Sequence, residues 1–332
     1  MNTLAAGPAD RRRFLQTLSA AVLASRAQAA AAQNPLRGLF PIGYSPFTDG
    51  DQLDLDRLAA QVRFLNKGRV HGLIWPQIAS EWTTLSKKER FEGAEAITAA
   101  GKGGKTAIVI GVQGPDMPTV LEYVKHAEKS GADAICSLPP AGVKDDEPVF
   151  EYYKQLGSAT GLPLFVQSQP FPMSVDLLAR MCREIPNFRQ IKDEAGNTMA
   201  RITEIRDKTG GAVAVFTGNG VRNMITELML GAQGFCPYAD VADVYAQVFD
   251  LWQAGKRAEA FDMFGRVLCF TSVVQGAAAP LKYVLVARGV LKNTRRRSGS
   301  GGGGRGAEKA FAAQGEKLVR DALDLLKPCL RA

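Results

Sequence analysis

Phe188-Arg189-Gln190-Ile191-Lys192-Asp193-Glu194-Ala195-Gly196-Asn197 holds one strand-to-helix transition. Phe188–Lys192 is short, β-rich and ends on a lysine, and the segment after it leads into the amphipathic stretch Met199–Lys208. The same alternation extends in both directions. Strand-like runs occupy Gly38–Ser45, Val70–Trp75, Thr106–Val112, Ala132–Leu138, Leu162–Ser168, Ala212–Thr217 and Gln233–Pro237. Most are continuous apolar stretches, the pattern of parallel strands covered on both faces. Between them lie helical segments such as Asp54–Asn66, Met117–Ser130 and Ser174–Glu184. Ser86 and Ser174 stand where N-caps belong, and Gly68, Gly131, Gly161 and Gly210 fall just past helix ends, where a left-handed cap is needed. Eight such units without a dinucleotide glycine fingerprint predict an α/β fold, a (β/α)₈ TIM barrel over residues 30–240. Additional C-terminal helices follow over 241–332, broken by Thr294–Gly306, which reads as a flexible surface insertion. Gly101-Lys102-Gly103-Gly104 precedes a strand and lacks the order of a phosphate cradle, so it reads as a loop.

Composition narrows the function classes. The 332 residues are 46% hydrophobic and 22% charged, an ordinary globular balance. The formal charge is +8, of which Arg11, Arg12, Arg13 and Arg26 less Asp10 supply three near the start. A second cluster, Arg295, Arg296, Arg297 and Arg305, sits in the Gly/Ser run without interleaved aromatics, which argues against nucleic-acid binding. Cys136, Cys182, Cys236, Cys269 and Cys329 are scattered with no CxxC pair, and His71 and His126 lie near no cysteine or paired carboxylate. No metal site, histidine triad or cofactor is expected.

Residues 1–29 read as an address. Arg11-Arg12-Arg13-Phe14-Leu15 resembles the twin-arginine export signal, followed by the apolar Thr17–Ala24 and by Ala27-Gln28-Ala29, a small-x-small cleavage pattern. This predicts a precursor carried by the twin-arginine export machinery to the periplasm, without stable membrane insertion.

A lysine at the C-terminal end of a barrel strand points into the mouth where such barrels work. An ordinary lysine is free amine only ~0.04% of the time at neutral pH. Desolvation favours that neutral form, which adds to carbonyls. Surface lysines such as Lys87, Lys88 and Lys125 are expected to stay solvated, leaving Lys192 as the desolvated amine. On spacing alone Lys192 is equally a lysine paired with a barrel-mouth carboxylate and without chemistry.

Ile191-Lys192-Asp193-Glu194-Ala195-Gly196-Asn197 resembles the Schiff-base motif of the dihydrodipicolinate synthase / N-acetylneuraminate lyase family. The similarity extends from about Leu39 to Gly289. It takes in Gly72-Leu73-Ile74 with Glu81 and Thr84-Leu85-Ser86, then Thr217-Gly218-Asn219-Gly220 and Gly231-Ala232-Gln233-Gly234. The resemblance implies a class I aldolase barrel in which Lys192 forms an imine with a small carbonyl or 2-oxo acid compound. Gly218 and Asn219 would line its pocket, and a homo-oligomer is the default. The family's Gly-Thr-Thr-Gly-Glu loop, which binds the substrate carboxylate, reads Gln77-Ile78-Ala79-Ser80-Glu81 here. This leaves backbone N–H groups of Ile78, Ala79 and Ser80 for that task. The relay tyrosine at the end of the fifth strand aligns with Gln167, which cannot move a proton. The tyrosines after the fourth strand align with Ala141 and Gly142, and the expected arginine with Pro172. These departures make true dihydrodipicolinate synthase activity improbable and leave two readings: a divergent aldolase or dehydratase, or a non-catalytic exported small-ligand-binding barrel. In the first, Tyr44 is a candidate substitute acid/base, and equally a packing aromatic. Trp75 and Trp82 beside the altered loop suggest either a larger substrate or core packing.

Overall fold

A computed structural model describes residues 36–169, 172–277, 279–297 and 314–332. The twin-arginine stretch and the Ser298–Gly306 part of the Gly/Arg-rich run lie outside them. Eight βα units follow in order: β1 (Gly38–Leu39), α1 (Leu55–Lys67), β2 (Gly72–Trp75), α2 (Lys87–Gly101), β3 (Ala107–Gly111), α3 (Met117–Ser130), β4 (Ala134–Ser137), α4 (Asp146–Ser158), β5 (Leu164–Gln167), α5 (Val175–Glu184), β6 (Phe188–Lys192), α6 (Thr198–Lys208), β7 (Ala214–Thr217), α7 (Met224–Leu230), β8 (Gly234–Phe235) and α8 (Ala242–Gln253). The eight strands form one sheet in the order β1-β8-β7-β6-β5-β4-β3-β2, and every pairing is parallel. A bridge from Ile42 to Ile74 joins the two ends, with Gly43 N–H donating to the Ile74 carbonyl at 3.0 Å. The result is the barrel the alternation predicts.

Two details differ from that reading, each for a local reason. Gly38–Ser45 shortens to a two-residue strand, because Pro41 has no N–H to extend the ladder. A boundary at residue 240 cuts off α8, the eighth helix of the barrel. Ser86 and Ser174 do cap α2 and α5, accepting from the N–H groups of Glu89 and Leu177. Gly131 and Gly210 are left-handed, but Gly68 keeps a right-handed φ of −72° and passes the left-handed position to Arg69. Gly161 is not among the left-handed glycines.

The barrel interior is filled by a buried group that includes Phe40, Ile74, Val109, Ala134, Phe165, Ala214 and Phe216. Phe40 meets Phe216 edge-on at 5.4 Å, and Phe165 lies 4.7 Å from Phe216. Large rings fit only because their neighbours are small. A Cβ on Gly72 would fall 2.1 Å from the Phe40 ring, and one on Gly234 equally close to Phe216. This packed floor shuts the barrel below Lys192 and leaves the C-terminal ends of the strands as the open side.

Beyond the barrel come α9 (Arg257–Gly276), α10 (Tyr283–Ala287) and α11 (Gln314–Leu326). The segment at 294–297 is no free surface insertion. Arg297 makes two bonds to the Glu89 carboxylate, and its N–H donates to Glu81 Oε2 at 2.9 Å. Lys282 donates to the Arg295 carbonyl and to Glu81 Oε1 at 3.0 Å. These ion pairs, buried between Lys282 and Glu81 and partly buried between Arg297 and Glu89, fasten the C-terminal region to the loop after β2 and to the start of α2.

Gly72→Ala should test the ring-and-glycine floor. Overpacking of this kind costs about 1–3 kcal/mol, so thermal melting should drop by several degrees with the barrel retained. An unchanged melt would show that the Phe40 ring steps aside freely.

Candidate active site

Lys192 ends β6 in register with Gln167 of β5 and Phe216 of β7. The ladder continues past the strand, as Ser168 N–H donates to the Lys192 carbonyl at 3.0 Å and Asp193 N–H to the Phe216 carbonyl at 2.9 Å. Because the chain stays extended, residues two apart share a face, which puts Glu194 on the side of Lys192. Asp193 points the other way and is buried in a two-bond pair with Arg201, at 2.7 and 3.1 Å. It anchors the loop to α6.

Lys192 is 7% exposed, and its Nζ donates to Glu194 Oε2 at 2.6 Å. Three further groups brace that carboxylate and its residue. Gln167 Nε2 donates to Oε2 at 3.2 Å, Asn219 N–H to Oε1 at 3.3 Å, and Glu194 N–H donates to Ser168 Oγ at 2.8 Å. Gly218 makes the arrangement sterically feasible, since a Cβ there would sit 2.0 Å from Glu194 Oε1 and 3.1 Å from Lys192 Cε. Asn219 is itself left-handed, with φ of 52°, which turns its N–H toward the carboxylate.

Above the pair opens a cavity of about 740 Å³. Lys192, Glu194, Gln167 and Asn219 form its polar base; Ile78 and Ala79 form one wall, and Phe270, Val274, Leu281 and Val284 of the C-terminal region another. Arg296 lines it too. A second cavity, of about 600 Å³, surrounds the Gly101–Gly104 turn at the N-terminal ends of β3 and β4, remote from this chemistry.

The residues singled out in the sequence divide accordingly. Lys192, Gln167, Ile78, Ala79 and Asn219 border the cavity, and Gly218 lies directly under its carboxylate. Ser80 does not reach it: the side chain is buried, donating to the Gly43 carbonyl and accepting from Gln77 N–H, so it pins the loop to β1. Tyr44 is also fully buried, stacked on Tyr238 at 6.0 Å with its hydroxyl donating to Asp240 Oδ2 at 3.3 Å. Burial and the neighbouring Asp240 push its phenol well above the ordinary range, which suits a packing aromatic better than a proton relay. Trp75 is in the core, and Trp82 lies against Arg90; neither borders the cavity.

Sequence reasoning passed over three groups. Glu194 was detectable from its i+2 spacing to the lysine. Arg296 was hidden in a low-complexity run. Lys282 is a second desolvated lysine, 1% exposed, with burial lowering its amine to about 8. Its Nζ donates to the Ser45 carbonyl, Glu81 and the Arg295 carbonyl, and it does not border the cavity. Among the described lysines, Lys192 is therefore not the one buried lysine but the one that borders the cavity. Among the described residues no cluster of three or more histidine, cysteine or acidic side chains could hold a metal ion.

Residues 35–300 match the Dihydrodipicolinate synthetase family. A 4-hydroxy-tetrahydrodipicolinate synthase from Bradyrhizobium diazoefficiens is 26% identical over 275 residues, 80% of this chain and 91% of that protein. An uncharacterized DapA-like lyase from Thermococcus onnurineus is 26% identical over 68% of this chain and 79% of its own length. Among solved structures, dihydrodipicolinate synthase from Rhodopseudomonas palustris superposes with a TM-score of 0.75 at 22% identity, covering 86% of this chain and 98% of that one. Sialic acid aldolase from Ruminococcus gnavus also gives 0.75, at 16% identity over 88% and 99%. At these identities the structural matches establish the fold.

Asp240, at the cavity edge, gives a pH test. Burial pushes its carboxyl up to about 7, against ~3.9 in an unfolded chain. Below pH ~4 both states are protonated and the group costs nothing. Between pH ~4 and ~7 only the unfolded chain ionises, so stability falls as pH rises and then levels off. Relative to Asp240→Asn, the protein should lose about 2–4 kcal/mol across that window in parallel denaturant titrations. Curves that stay parallel would mean that the carboxyl is solvated.

Proposed function

The chain belongs to the dihydrodipicolinate synthetase family, and from that membership we propose that it is a lyase working through an imine on Lys192, with Glu194 moving the protons. The observation that carries this reading is the 2.6 Å contact between Lys192 Nζ and Glu194 Oε2 at the base of a substrate-sized cavity. Transfer of one proton along it yields a free amine beside a carboxylic acid. The amine adds to the carbonyl carbon of a 2-oxo acid or aldehyde. Glu194 then protonates the carbinolamine oxygen, which leaves as water as the C=N bond forms. Carbonyl and amine become imine and water, and the protonated imine is an electron sink for breaking the next carbon–carbon or carbon–oxygen bond. In carbon–carbon cleavage the Glu194 carboxylate takes the proton of the β-hydroxyl while the bonding pair moves into the enamine. Gln167 takes no proton; its amide and the Asn219 N–H hold the carboxylate in place.

The relatives named as 4-hydroxy-tetrahydrodipicolinate synthases set a default for the substrate. The Gln77–Glu81 loop, Gln167 and Pro172 argue against it here, because the groups that bind and protonate that substrate in the family are replaced. Condensation of pyruvate with aspartate semialdehyde should be slower by several powers of ten.

Borohydride reduction in the presence of a panel of 2-oxo acids and aldehydes, followed by peptide mapping, tests the imine. The adduct should lie on Lys192, be lost in Lys192→Ala, and be absent from Lys282. Glu194→Gln should form it roughly 10²–10⁴-fold more slowly. Ligand binding without an adduct, unchanged in Lys192→Ala, would favour a binding barrel instead.

The Arg11-Arg12 pair with Phe14-Leu15 supports an exported precursor. Replacing both arginines with lysine should leave unprocessed protein in the cytoplasm, because guanidinium and ammonium are not interchangeable to a receptor. Normal cleavage of the double variant would overturn export by this route.

A further inference from the structure

The cavity above Lys192 is edged by apolar surface left bare. Six large hydrophobic side chains stand exposed among the described residues, and two of them, Ile78 at 52% and Tyr238 at 46%, border this one cavity. Single exposed apolar residues are ordinary on a protein surface, but a pair at a concave site marks a place where a ligand is received. Phe270, Val274 and Leu281 continue the same apolar lining from the C-terminal region.

Tyr238 is held as a flat platform. Its ring lies within 18° of parallel to that of Tyr44, with centroids 6.0 Å apart. Tyr44 is fully buried and fixed at three points. Its N–H donates to Gln61 Oε1 at 2.9 Å, its carbonyl accepts from Gln61 Nε2 at 2.9 Å, and its hydroxyl donates to Asp240 Oδ2. With one face backed by a fixed ring, the exposure of Tyr238 falls to its opposite face and its edge. A ring held in place beforehand gives up little freedom when another ring settles on it. Its height follows from the register. Lys192 is level with Phe216 of β7, and Phe216 with Gly234 of β8. The chain runs on past β8 in the same ladder, as Cys236 N–H donates to the Thr217 carbonyl and Tyr238 pairs with Ile42. Tyr238 thus stands four residues beyond the level of Lys192 on the open side, roughly 13 Å along the strand at ~3.3 Å per residue.

A carbonyl compound of a few carbons bound to Lys192 stops short of that height. It also fills little of the cavity, whose volume of about 740 Å³ lies in the range that takes drug-sized ligands. We propose that Tyr238 and Ile78 form an aryl-binding subsite, and that the carbonyl compound accepted at Lys192 carries an aromatic ring a short spacer away from its carbonyl group. The carbonyl goes down to the polar base, the ring lies against Tyr238, and Ile78 adds apolar contact. A saturated ring of similar size gains the burial without the ring-on-ring contact. The subsite therefore ranks phenyl above cyclohexyl, and both above a bare methyl end.

This assignment rests on the imine reading for its covalent readout, and the test separates the two. The full-length protein is incubated with graded concentrations of propanal, 3-cyclohexylpropanal or 3-phenylpropanal and reduced with borohydride, and the Lys192 adduct is quantified by peptide mass. Half-maximal trapping by the phenyl compound should need roughly ten- to hundredfold less than propanal. It should need about two- to tenfold less than the cyclohexyl compound. Tyr238→Ala should bring the first ratio to within a few fold, and Tyr238→Phe should keep both ratios. Tyr238→Leu, which stays apolar and serves if the alanine variant does not fold, should lose the second. Ratios near one in the unmodified protein, or ratios unchanged in Tyr238→Ala, would overturn the subsite. A sedimentation mass that then drops in Tyr238→Ala would give this surface to a second copy of the chain. An adduct with none of the three aldehydes would overturn the imine reading instead. Calorimetry with 3-phenyl-1-propanol and 1-propanol, which have no carbonyl, then decides the subsite separately. Tighter binding of the phenyl alcohol that is lost in Tyr238→Ala supports it, and equal binding of the two overturns it.

Discussion

The contact between Lys192 and Glu194 sets the terms for the rest of the molecule. Placing an ammonium and a carboxylate together in a nearly closed barrel mouth is costly in desolvation unless the remaining lone pairs are met. Gln167 and Asn219 meet the carboxylate, Ser168 holds the Glu194 backbone, and Gly218 gives up a side chain so that both groups fit. These residues come from the ends of three adjacent strands, β5, β6 and β7. A closed parallel barrel brings those ends together at the spacing of neighbouring strands, and the Phe40–Phe165–Phe216 floor keeps water from reaching them from below.

The opposite side of the cavity is held by a different device. Glu81, left-handed at φ 58°, lies 3.0 Å from Lys282 and 3.7 Å from Arg296 and accepts the Arg297 N–H. The Arg297 guanidinium holds Glu89 at about 2, far below an ordinary glutamate, so the Arg297–Glu89 pair stays charged over the whole physiological range. Its consequence is geometric: residues about 200 positions apart in the chain are tied together, and Arg296 is delivered to the cavity from outside the barrel.

Departures from the family's usual residues take on a pattern in this light. Where the family has a tyrosine on the fifth strand, Gln167 supplies a donor to Glu194. The proton-moving role passes in our proposal to a carboxylate two residues beyond the lysine. The Gln77–Glu81 loop exchanges side-chain hydroxyls for one buried glutamine, an inward-pinned Ser80 and the buried Glu81. Such a site is polar at its base and apolar above, and its hydrogen-bond demands differ from those of a carboxylate-binding hydroxyl pair.

The sequence by itself determined the repeat. Continuous apolar runs alternating with amphipathic ones require strands covered on both faces, and a lysine closing the sixth run has to stand at the barrel mouth. Both follow from local periodicity, which is why the barrel and the position of Lys192 at its mouth were legible from residues alone, whereas the imine-forming role of Lys192 came only from the family resemblance. Glu194 was legible in part, since extended backbone puts i and i+2 on one face. What only the tertiary structure decided depends on distance along the chain. Tyr44 turned away to Asp240, Ser80 turned to Gly43, and Arg295–Arg297 docked on Glu81 and Glu89 through partners that no local pattern specifies. A buried charge or amide takes its role from whatever group the fold brings within about 3 Å of it, and that neighbour is set by the closure of the whole barrel.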